Sequence, residues 1–231
     1  MPILHHFIEE GAGEPLVLLH GNGEDGSYFA RQFPAFSPYF RVIAPDTRGH
    51  GRTPRGEAPF TIGQFAQDLS VLLDRLGIGR AHLLGFSDGG NIALTFALKY
   101  PGRVGKLVLD GANLDPSGVK RSVQLPIEIG YAIARRFAGR HDGARRKAEL
   151  LGLMVNEPQI RPEELARITA PTLVIAGERD MIREAHTRLI ARSIPGAQLA
   201  ILPGDHFLAA RNPEPFNGRV LQFLLGQKGI R

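Results

Sequence analysis

Leu83-Leu84-Gly85-Phe86-Ser87-Asp88-Gly89-Gly90 is the stretch on which the reading of this chain turns. An apolar run over 81–86 leads into a serine held between glycines. A good helix former, Asn91-Ile92-Ala93-Leu94-Thr95-Phe96-Ala97-Leu98, follows at once. Gly-x-Ser-x-Gly at a strand-to-helix junction reads as a nucleophile elbow, a tight turn that strains the serine backbone and lifts its hydroxyl above the sheet edge. Small residues two before and two after the serine let strand and helix approach closely. The new helix also aims free N–H groups at any oxyanion formed there. A glycine-rich turn with a chance serine would look the same locally, so the flanking segments decide.

Upstream, Leu16-Val17-Leu18-Leu19 reads as a buried strand that ends in His20-Gly21-Asn22-Gly23, a loop able to offer backbone N–H groups. Downstream, Leu173-Val174-Ile175-Ala176 is another buried strand, ending in Gly177-Glu178-Arg179-Asp180. A further strand over 198–202 runs into Pro203-Gly204-Asp205-His206. Serine, acid and histidine thus follow in that order, each just past the C-terminal end of a predicted strand. In an open parallel sheet those ends share one edge, where ligands bind. With Asp46-Thr47-Arg48-Gly49-His50-Gly51 between them, these motifs make the chain resemble the α/β-hydrolase superfamily, as a serine esterase-like member. The likeness covers nearly the whole chain; the stretch over 115–168 is generic. In the resemblance that stretch is where a helical cap sits over the active site.

The rest of the chain agrees. Residues 40–45 and 104–109 read as strands. Over 61–76, Ile62, Phe65, Ala66, Leu69, Leu72, Leu73 and Leu76 have the spacing of a helix face laid on a sheet, with Thr61 and Gln64 as its capping box. Asn212-Pro213-Glu214 opens a last helix that buries Phe216, Val220, Phe223 and Leu224. The alternation predicts an α/β fold, a mostly parallel sheet of about seven strands with helices on both faces. Only one strand candidate, 3–9, precedes the Leu16 strand, so the sheet should be one strand short of the superfamily's usual antiparallel pair at that edge. The core is expected over 1–114 and 169–231. The small cap over 115–168 has room for about two to four short helices, one of them over 144–155.

Composition narrows the function classes. A chain of 231 residues is long enough for one α/β domain with a full core. Without cysteine there is no disulfide, thiol nucleophile or thiolate metal site. Met1-Pro2-Ile3-Leu4-His5-His6 lacks the regions of a signal peptide. No apolar run nears the roughly 18 residues of a membrane span. A cytoplasmic enzyme, monomeric or homodimeric, with a small-molecule substrate and no cofactor or metal is the expectation. Residues 120–147 hold eight basic side chains against two acidic ones, a local +6 in a chain of net +5. This reads as a solvated helix face, with attraction of anionic substrates as the competing reading. Nucleic-acid binding is not expected, because no stacking aromatics interleave the patch.

The chemistry expected of the three residues is acyl transfer. His206 has the intrinsic pKa to take the Ser87 proton and return it to the leaving group. Asp180 would hold the histidine tautomer. Asp110, also at a strand end, is the alternative acid. The backbone N–H groups of Asn22 and Asp88 would form the oxyanion hole. The Asp88 carboxylate reads as a helix N-terminal acid, with a pocket-edge role as its rival. Phe29, Phe86, Leu125, Ile129, Phe137, Met154 and Phe207 are candidates for an apolar substrate pocket, although each could equally be core. The cap should control access and selectivity and supply no catalytic group. Two other readings compete. Gly21-Asn22-Gly23-Glu24-Asp25-Gly26, with a helix-like run from Ser27 and Asp46 at a strand end, outlines a dinucleotide site and an NAD(P)-binding oxidoreductase. A non-catalytic ligand-binding protein of the same fold is the other.

Overall fold

The computed structural model of the chain describes residues 3–226; Met1 and Pro2, where the signal-peptide reading begins, lie outside them. Its strands are β1 (Phe7–Glu10), β2 (Pro15–Leu19), β3 (Arg41–Pro45), β4 (Ala81–Phe86), β5 (Val104–Asp110), β6 (Thr172–Gly177) and β7 (Gln198–Leu202). They form one seven-stranded sheet in the order β1-β3-β2-β4-β5-β6-β7. Only β1 runs antiparallel, pairing Phe7 with Pro45 and Glu10 with Val42. The expected short edge is therefore present, with the strand shifted from 3–9 to 7–10.

The helices are α1 (Phe33–Phe36), α2 (Ile62–Arg75), α3 (Asp88–Lys99), α4 (Arg121–Phe137), α5 (Asp142–Asn156), α6 (Glu184–Ser193), α7 (Leu208–Arg211) and α8 (Pro213–Leu225). The strands read as continuous apolar runs because both sheet faces are covered. Val17 and Leu19 point to one face, into a core shared with α2, α3 and α6. Leu16 and Leu18 point to the other, against α1, α7 and α8. The α2 entry departs in detail from a full capping box. Thr61 accepts from the Gln64 N–H at 3.1 Å, but the Gln64 amide turns to Asp68 at 2.9 Å. Glu157, from beyond α5, takes the Ile62 N–H at 2.6 Å.

The stretch over 115–168 holds α4 and α5 with 3₁₀ helices Pro116–Gly118 and Pro162–Arg167 on either side, and it is sewn to the sheet domain. The Lys120 N–H donates to Met181 O at 2.8 Å. Arg55 holds Glu149 of α5 at 2.7 Å. Leu153 of α5 is buried in the core cluster beside α2 and α3. Deleting this segment would therefore expose core.

Candidate active site

Strand β4 turns into α3 through Ser87, the only non-glycine residue among those described with positive φ, at φ 52° and ψ −119°. Such a conformation costs about 1–3 kcal/mol and persists only where its surroundings impose it. They do so here. The Ser87 N–H extends the β5 ladder to Asp110 O at 2.8 Å, while Ser87 O takes the first helical bond from Asn91 at 3.1 Å. The flanking glycines permit the turn by close approach. A Cβ on Gly85 would lie 2.2 Å from Gly89 O, and one on Gly89 would lie 1.9 Å from Leu19 O. Gly89→Ala is expected to destabilise the protein by about 3 kcal/mol, since overpacking against backbone outweighs the ~1 kcal/mol gained in helix propensity. Urea denaturation measures this, and an unchanged midpoint would contradict the clash.

Three strand-end loops bring Ser87, His206 and Asp180 into one hydrogen-bonded chain. His206 Nε2 lies 3.0 Å from Ser87 Oγ, and His206 Nδ1 lies 2.7 Å from Asp180 Oδ1. Asp180 Oδ1 also accepts the Ile182 N–H at 2.8 Å. An ionised carboxylate only accepts, so Nδ1 carries the imidazole proton and the Nε2 lone pair faces the serine hydroxyl. His206 and Asp180 are buried. Phe86 and Phe207 flank the imidazole with ring centroids at 4.9 and 5.6 Å. Asp110, the alternative acid, makes no contact of this kind. Neither of its fully buried carboxylate oxygens has a partner among the described residues. Burial, and then the charge of Asp180, hold its carboxyl well above the ordinary carboxylate range.

Among the described residues, nothing accepts from the backbone N–H of Asn22 or of Asp88. The loop that carries Asn22 is braced from behind. His20 Nδ1 donates to Gly21 O at 2.8 Å, and its Nε2 accepts the Thr47 N–H at 3.0 Å. Burial pushes His20 down to about 4, so it stays neutral. Glu24 was not singled out by the sequence. Its Oε2 accepts the Gly21 N–H at 3.2 Å, and burial pushes its carboxyl up to about 7 against the opposing pull of Gly21 N–H and His206. Because the folded pKa is raised, stability falls as pH rises from the ordinary carboxylate value toward about 7. Glu24→Gln keeps the acceptor and removes the charge. Its melting temperature should gain on wild type between roughly pH 5 and roughly pH 8. A pH-independent difference would contradict this.

The pocket candidates scatter. Phe29 is fully buried in the core, edge-on to Tyr28. Phe86 is equally buried but reaches the His206 ring, as does the partly exposed Phe207. Met154 is half-buried on α5. Leu125, Ile129 and Phe137 are 43%, 53% and 40% exposed on α4, unlike core positions. The glycine pattern over 21–26 serves the fold. It leads into a 3₁₀ turn, Gly26–Phe29, and not into a long crossover helix. Asp46 turns inward, accepting from Gly26 N at 2.9 Å and Arg52 N at 2.7 Å, so its carboxylate is not free for a ribose. No group of three metal-ligating side chains converges among the described residues, and no helix there is long and apolar enough to cross a membrane.

The sequence model for the alpha/beta hydrolase fold matches residues 14–131. A relative from Caulobacter sp. (strain K31), named provisionally as the carbamate hydrolase RutD, is 31% identical over 97% of this chain and 96% of its own length. A 2-hydroxy-6-oxononadienedioate/2-hydroxy-6-oxononatrienedioate hydrolase of Burkholderia vietnamiensis (strain G4) is 31% identical over 95% of this chain and 90% of its own. The crystal structure of the enol-lactonase from Burkholderia xenovorans LB400 superposes with a TM-score of 0.81 at 25% identity, covering 96% of this chain and 97% of the other.

Proposed function

The chain belongs to the alpha/beta hydrolase fold family and is a hydrolase of that fold; on that premise we propose that it cleaves a small carboxylic ester or lactone through an acyl-enzyme on Ser87. The observation that carries this reading is the chain Ser87–His206–Asp180 at 3.0 and 2.7 Å, set on a strained strand-to-helix turn. Ser87 Oγ attacks the carbonyl carbon as its proton passes to His206 Nε2. The carbonyl oxygen becomes an oxyanion, which the N–H groups of Asn22 and Asp88 receive. Asp180 stabilises the imidazolium. His206 then hands the proton to the leaving alkoxide, which departs as an alcohol. In a lactone the alkoxide stays tethered to the acyl group. Water, deprotonated by His206, attacks the acyl carbon; the bond to Ser87 Oγ then breaks, Oγ takes the proton back from His206, and the acid leaves.

The bond type rests on preference among carbonyl substrates, since relatives are named for carbamates and oxo-dienoates as well as for an enol-lactone. A panel of p-nitrophenyl esters and lactones, run beside a carbamate and a 2-hydroxy-6-oxo-dienoate, tests it. Esters or lactones should turn over fastest, with a fluorophosphonate probe labelling Ser87. Preferred cleavage of the carbamate or the dienoate would overturn the ester assignment.

A further inference from the structure

Among the described residues nothing accepts from the backbone N–H of Asn22 or Asp88, and their side chains are bonded to each other. Asn22 lies in the loop after β2 and Asp88 opens α3, 66 residues apart, yet Asn22 Nδ2 donates to Asp88 Oδ2 at 2.9 Å. The second hydrogen of that amide goes to Leu150 O, in α5, at 2.8 Å. The other Asp88 oxygen accepts from Asn91 Nδ2 at 3.2 Å. Asn91 in turn exchanges two bonds with Asn113, Nδ2 to Oδ1 at 3.1 Å and Oδ1 from the backbone N–H at 2.9 Å. Asn113 Nδ2 ends the series on Asp115 O at 2.9 Å, where the chain leaves for the cap.

A helix N-terminal acid serving only the dipole sits in water or accepts from the backbone N–H groups of its own first turn. Asp88 does neither. It is 8% exposed and spends both oxygens on amides, one from another loop and one from Asn91. A buried carboxylate that accepts fixed donors on both oxygens has little freedom to move, and neither have its partners. Strands β2 and β4 are neighbours in the sheet, so their ends are spaced by the ladder. The loop tips beyond those ends are not, and the Asn22–Asp88 bond spans that gap.

We propose that the Asn22 and Asp88 side chains are positioning residues, a clamp that sets the spacing of the two N–H groups beside Ser87 and ties it to the cap through Leu150 O. The clamp rests on the reading of those N–H groups as an oxyanion hole. It gives the cap a part in the chemical step, because a shift of α5 pulls on Asn22.

The test uses the full-length protein and p-nitrophenyl acetate, a substrate too small to need the cap for binding. Asn22→Ala and Asp88→Ala should each lower kcat about ten- to hundredfold, the range expected of a small misplacement of reacting groups. KM should move less than about threefold, because the lost interaction acts in the transition state. The double variant should be no worse than the poorer single one, since the two residues form one unit. Asp88→Asn keeps one acceptor oxygen and should fall between wild type and Asp88→Ala. If Asp88→Ala does not fold, Asn22→Ala, Asp88→Asn and their double variant carry the cycle. Unchanged kcat in Asn22→Ala, a rise in KM alone, or losses that multiply in the double variant would overturn the clamp. Fluorophosphonate labelling of the wild type separates the two levels. No labelling at Ser87 removes the serine reading and the clamp with it, whereas labelling with full turnover in Asn22→Ala removes the clamp alone.

Discussion

Replacing Ser87 by alanine is expected to lower ester hydrolysis by at least about a thousandfold while leaving the protein folded. The hydroxyl makes one hydrogen bond, to His206 Nε2 at 3.0 Å. Its partner His206 is buried, but Ser87 is only half-buried, so water can take the place of the lost hydroxyl. Alanine at φ 52° is strained as serine is, so the backbone cost does not change sides. The loss is therefore one of chemistry, since the acyl-enzyme has nowhere to form. Binding and the remaining N–H donors can still give some acceleration over water. Turnover of p-nitrophenyl acetate by purified variant, with its melting temperature as the control for folding, measures the effect. Near-wild-type turnover in a folded variant would remove the serine mechanism.

The second large effect separates two aspartates. Asp180→Asn should cost about ten-thousandfold in kcat, because an amide facing His206 Nδ1 favours the wrong tautomer and cannot stabilise the imidazolium. Asp110→Asn should cost far less. Burial already opposes its charge, and a neutral amide of the same shape suits such a site. It lies on β5, beside Phe86 of β4 and Ile175 of β6, with no bond to the imidazole. Parallel kinetics on the two variants decide the assignment. A dead Asp110 variant beside an active Asp180 variant would reverse it.

Much of this was legible in the sequence because it is encoded locally. Continuous apolar runs such as 16–19 and 173–176 announce strands covered on both faces, and β2 and β6 are those strands. The helical spacing over 61–76 announces α2, and the glycines around Ser87 announce a turn that no residue with a Cβ could make at Gly89. Serine, aspartate and histidine each follow a strand, and the rule that parallel strand ends share an edge needs no coordinates. The α/β class and the neighbourhood of the site follow from these features.

Other features came only from the tertiary structure, because they depend on where side chains from distant segments meet. Asp110 ends β5 and Asp180 follows β6 by three residues, and only the path of that loop carries Asp180 to His206 Nδ1. Phe29 and Ile129 are equally apolar in the sequence, yet one is sealed in the core and the other lies open on α4. The raised carboxyl of Glu24 comes from burial that no neighbour in the sequence implies. The glycine pattern over 21–26 outlines a dinucleotide site in the sequence, and only the fold shows Asp46 turned inward on Gly26 and Arg52. The bond between Asn22 and Asp88 joins residues on two different loops. Periodicity reports which face of an element is covered and order reports which strand comes next. Neither reports the distance between two loop tips, which the packing of the whole sheet and cap sets.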